Sequence, residues 1–154
     1  MALGMQPKVW VVIADGEHAR VVVPKAVLHQ FVTHIAFDSV NAHKLSHDLG
    51  SERLGRVHES ASTTRHAIAV QTDPHLLAKH RFILEVAAQI DHHANADAFD
   101  QLVLVAPAHA LHDLRAALGK TATAKMVGTE THDLVKVPDH DLMSHLAKWW
   151  IAPP

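Results

Sequence analysis

The chain has 154 residues, 48% of them apolar and 19% charged, the make-up of a folded domain rather than a disordered segment. It contains no cysteine, which excludes disulfides and thiolate metal sites. The formal charge is −2 and the lysines and arginines are scattered, so the basic stripe of a dedicated nucleic-acid binder is missing.

The segment Lys8-Val-Trp-Val-Val-Ile-Ala14 is short, β-branched and apolar, and predicts a buried strand. Asp15-Gly16 follows as a reversal, because Gly tolerates positive φ and Asp bonds its own backbone. Residues 19–23 predict a second strand closed by Pro24, and residues 31–40 a third, so the first three strands form an antiparallel meander. Residues 41–73 lose periodicity. Two helical turns fit 42–49, and the Ser-, Thr-, His- and Arg-rich stretch from Gly50 predicts a variable, mobile loop with trypsin-sensitive Arg53, Arg56 and Arg65.

Asp73-Pro74 is an N-cap followed by proline at the first helical position, and predicts the longest helix, running to about Asn95. Its Phe82, Ile83, Val86, Ala87 and Ile90 make one buried face, with Arg81 and Glu85 outside. Residues 101–106 predict a fourth, buried strand. Pro107 opens a helix with Leu111, Leu114 and Leu118 as its stripe and Gly119 as its C-terminal cap. A turn over 121–125, a fifth strand over 126–131, and a last helix from Pro138 burying Leu142, Leu146 and one of Trp149 or Trp150 complete the chain. The expected fold is a single α/β domain over 1–154. It is an RNase-H-like mixed five-stranded sheet, three antiparallel strands followed by α-β-α-β-α.

Four segments carry a resemblance: Val9-Trp-Val-Val-Ile-Ala-Asp-Gly-Glu-His-Ala-Arg20; Gly55-Arg56 with Ser60; Phe99-Asp-Gln-Leu-Val-Leu-Val-Ala-Pro107 with Leu111, Leu114-Arg115 and Leu118; and Asp133-Leu134 with Pro138, Leu142 and His145-Leu146. In this order they resemble the bacterial host attachment family. His132 departs from the lysine usual before the Asp-Leu pair. The family is similar in fold to the middle domain of archaeal and eukaryotic peptide-chain release factors. The resemblance aligns their Gly-Gly-Gln loop with Gly55-Arg-Val-His-Glu-Ser60 here. His58-Glu59 replace the Gly-Gln that the release reaction needs for its backbone geometry, so release activity does not carry over.

The expected topology brings the C-terminal ends of strands one, four and five together, and with them Asp15, Gly16, His109, His132 and Asp133. Such crevices are the usual ligand sites of α/β folds. In the loop, Arg56, His58, Glu59 and Arg65 are candidate contacts to RNA or the ribosome. A two-metal nuclease needs several converging carboxylates; Asp15 qualifies, but strand four ends in Ala106-Pro107 and Glu85 faces outward. The pairs His43/His47 and His109/His112 have helical metal-ligand spacing without a third ligand, so no metal and no cofactor is assigned. Ser60, Ser62, Thr63 and Thr64 lie near His58 and His66 without the strained elbow and orienting acid of a nucleophilic site.

Sixteen histidines outnumber the fourteen lysines and arginines. Net charge therefore depends on pH between about 5 and 7, and stability is expected to fall in acid. Residues 1–7 lack the apolar core of a signal peptide, and no stretch reaches the roughly 18 apolar residues of a membrane span, so a cytoplasmic location is expected. The functional expectation is a non-enzymatic binding or regulatory protein of the host attachment family. The alternatives are a translation-associated RNA or ribosome binder and a hydrolase at the Asp15/Asp133 edge. Physiological partner and oligomeric state are left open.

Overall fold

A computed structural model of the protein describes residues 6–38 and 73–151. The expectations for the 41–72 stretch, including loop contacts through Arg56, His58, Glu59 and Arg65, lie outside the described residues.

Five strands form one mixed sheet: β1 (Val9–Ala14), β2 (His18–Lys25), β3 (Gln30–Asp38), β4 (Gln101–Ala106) and β5 (Met126–Thr131), in the order β3-β2-β1-β4-β5. The β1–β2 and β2–β3 pairs are antiparallel, whereas β1–β4 and β4–β5 are parallel. All six residues of β1 are buried, which is why this strand reads as one apolar run without alternation: it is covered on both faces. β2 extends past the expected stop, through Pro24 to Lys25. Pro24 lies beyond the register with β1 and faces only β3, opposite Phe31, so its missing N–H costs no bond on the β1 side.

Helix α1 (Pro74–Asn95) begins where expected, with Asp73 accepting from His75 N–H at 2.8 Å. Its Phe82, Ile83, Val86, Ala87 and Ile90 join Trp10, Val12, Leu102, Leu104 and Ala106 in one core. Helices α2 (Ala108–Ala117) and α3 (Lys120–Lys125) complete this layer with Leu111, Leu114 and Ala122. Gly119 is not a left-handed C-cap. It is extended, with φ −78° and ψ −178°, and its N–H donates to Asp91 at 2.8 Å, where a Cβ would press on the carboxylate.

The opposite face buries Val9, Val11, Ile13, Val103 and Val105 beneath Leu134, Leu142 and Leu146. The expected last helix is broken. A 3₁₀ turn at Asp139–Asp141, helix α4 (Met143–Leu146) and a second 3₁₀ turn at Ala147–Trp149 follow one another. Leu142 and Leu146 are buried as expected, while both Trp149 and Trp150 are half-buried.

Arg20, on β2, ties this segment to the sheet. Its guanidinium donates to Val135 O at 2.7 Å and to Val137 O, and pairs with Asp139 at 3.2 Å. Asp139 in turn accepts from Thr33 N–H at 2.7 Å.

Candidate functional site

The parallel register aligns Ile13 with Val105 and Val105 with Glu130, so β1, β4 and β5 end at the same level. Beyond β1 the chain reverses tightly. Asp15 Oδ1 accepts from the N–H groups of Glu17 and His18, both at 2.7 Å. Here the role of Gly16 is closeness rather than positive φ: a Cβ would stand 2.7 Å from Cγ and Cδ of Lys79, whose stem crosses the turn. Beyond β4, Pro107 starts α2.

Between this turn, α1 and α2 lies a cavity of ≈ 540 Å³, within the size range of small-molecule sites. Asp15, Gly16 and Glu17 contribute from the turn; Leu76, Lys79, His80 and Ile83 from α1; and Pro107, His109, Ala110 and Asp113 from α2. Asp113 is the hub on the α2 side. Its Oδ2 is 3.5 Å from His80 Nδ1 on α1 and 3.9 Å from His109 Nε2 one turn earlier on its own helix. The cavity thus presents three carboxylates, one ammonium and two imidazoles above an apolar floor that includes Ile83 and Pro107. Among the described residues no group of three His, Asp or Glu side chains is set to hold a metal ion.

Asp15, Gly16 and His109, expected to meet, do line one cavity. His132 and Asp133 do not line it, although they follow β5 at the same level. Helix α2 leaves β4 between the two ends and divides the surface. On the β5 side it borders a second hollow of ≈ 440 Å³ with Leu111, His112, Arg115 and Thr131. His132 lines neither hollow; its Nε2 stands 3.5 Å from Glu130, which also accepts from the Trp149 indole N–H.

Lys79, His80 and Asp113 were not expected here. The four-residue step from His109 to Asp113 was a visible signal, since it puts both on one helical face. Nothing in the sequence pointed to Lys79 or His80, which reach the cavity only through the packing of α1 on α2.

A family model described as "Protein required for attachment to host cells" matches residues 10–146. No curated protein matches the chain.

Proposed function

The chain belongs to the family of proteins required for attachment to host cells, and we propose that it acts within that family as a non-enzymatic binding or regulatory domain. The observation that carries this reading is the cavity at the ends of β1 and β4, where three segments far apart in sequence place Asp15, Lys79, His80, His109 and Asp113 around one space. Its polar groups are already engaged in ways that suit holding rather than transforming a ligand. Asp15 fixes the turn through two backbone N–H groups, and Asp113 has an imidazole on either side. Among the described residues, no Ser or Thr lines the cavity to serve as a nucleophile.

We read the strand order as RNase-H-like, which the antiparallel β3-β2-β1 half joined to a parallel β1-β4-β5 half supports. The kinship to release factors rests on the sequence resemblance alone. A cytoplasmic location accompanies this reading, and no described helix is long and apolar enough to cross a membrane. Neither the ribosome-binding nor the hydrolase alternative has an observation that favours it.

The experiment is native mass spectrometry of the protein taken from its own cells, beside an Ala110→Trp variant whose indole fills the cavity. A small molecule carried by the natural chain and lost from the variant supports the reading. Retention of the same molecule by the variant contradicts it.

A further inference from the structure

The β2–β3 hairpin turns over residues 26–29, where His29 N–H donates to Ala26 O at 3.1 Å. Such turns favour Gly, Asn, Asp and Pro at their centre. Here the central pair is Val27 and Leu28, 97% and 58% exposed. The following residue, His29, has φ 48°, in the left-handed region that histidine enters more readily than most side chains. Two successive residues, Val27 and Leu28, thus go against local turn chemistry above regular strands, in which Lys25 faces Gln30 and Pro24 faces Phe31. Conflicts of this kind between local preference and structure gather where a surface has a task.

The tip is braced from below. The His29 ring lies 4.9 Å from that of Trp150, and Trp150 stands edge-on to the fully buried Phe31 at 5.6 Å. The hairpin's own charges are all basic. From Ala19 to Phe37 the chain carries Arg20, Lys25, His29 and His34 and no carboxylate. Arg20 is committed to the C-terminal segment. Lys25 and Lys8, both exposed, line one hollow at the base of the hairpin. Two acids face the hairpin from other segments: Asp100, which accepts from the Lys8 backbone N–H, and Asp139, which accepts from Thr33 and pairs with Arg20.

We infer that the Val27–Leu28 tip is a docking surface for an anionic lipid bilayer. The two apolar side chains enter the headgroup region, the Trp150 indole lies at the boundary, and Lys25 and Lys8 face the anionic headgroups. A protruding pair of apolar residues needs a partner that yields around it, and a bilayer interface does so, while the cationic flank suits lipid charge. This is contact with a surface, not a span, and it stands apart from the cavity described above.

The test is cosedimentation of the full chain with phosphatidylcholine vesicles, with and without phosphatidylserine. Binding to the phosphatidylserine vesicles at low salt, weakening as salt rises, is expected. The double variant Val27→Asp, Leu28→Asp should lower partitioning at least about tenfold. Lys25→Glu should lower it about fivefold or more. Both variants sit at exposed positions, and unchanged thermal midpoints establish that they fold. Failure of the natural chain to bind anionic vesicles at low salt overturns the inference, as does undiminished binding by the double variant. Self-association in sedimentation equilibrium that the double variant abolishes would also overturn it, by assigning the tip to a second copy.

Discussion

The indole of Trp149 packs against Gly128 of β5, so close that a Cβ on the glycine would overlap ring atom Cη2. The same indole donates its N–H to Glu130, two residues along the strand and nearly buried. Gly128→Ala should displace the ring, loosen that hydrogen bond and destabilise the fold by about 1–3 kcal/mol. In a Trp149→Ala background the same change should cost little, because the two residues act as one contact. Urea midpoints of the four proteins of this cycle check it; additive effects would show that the contact is not shared.

Arg20 is the polar counterpart on the other half of the sheet. Truncation to Ala leaves Val135 O and Val137 O without the Arg20 donors and Asp139 without its cationic partner, and a loss of about 2–3 kcal/mol is expected. Hydrogen exchange should show residues 134–141 losing protection before the central strands do. Uniform loss across the sheet would mean that Arg20 does not hold this segment in particular.

Acid should weaken the fold through His93. Burial against Trp10, with the neighbouring His92 and His34 adding to it, holds this imidazole below its usual value. As pH falls below the ordinary histidine value of about 6.5, the unfolded chain takes up a proton that the folded chain resists. The stabilisation is therefore complete above that value and declines as pH descends towards the folded pKa. Asp97 behaves differently. The hydrogen bond and charge of Lys125 hold its carboxyl below the usual value, so its contribution is present above 3.8 and disappears only as pH falls further. Denaturant midpoints at about pH 7.5 and 5 should differ in the natural chain, and His93→Asn should shrink the difference. An unchanged difference in the variant would place the effect on other histidines.

Much of this architecture was legible in the sequence because local signals and burial agreed. In β4, Leu102, Leu104 and Ala106 face one layer while Val103 and Val105 face the other, which is why that strand reads as a continuous apolar run. Asp73-Pro74 and the apolar spacing after it fixed α1 to the residue at its start. The departures arose where tertiary contacts decide. Gly119 looks like a helix cap but serves the approach of Asp91. Leu142 and Leu146 keep helical spacing, yet the backbone turns at Leu146, with φ −118° and ψ 17°. The candidate site divides in the same way. Asp15, Gly16 and His109 followed from strand order, whereas Lys79 and His80 depend on how α1 lies against α2. His132 and Asp133 were separated from the others by α2 itself, a side-chain-level consequence that strand order does not contain.

The central claim is that the cavity between Asp15, Lys79 and Asp113 is where this protein binds its ligand. The most direct measurement is the amide NMR spectrum of the ¹⁵N-labelled chain titrated with a library of small polar fragments. Fragments are expected to shift resonances concentrated at 15–17, 76–83 and 107–113, and Ala110→Trp to abolish these shifts. Fragments that bind elsewhere, or shifts that persist in the filled variant, would contradict it.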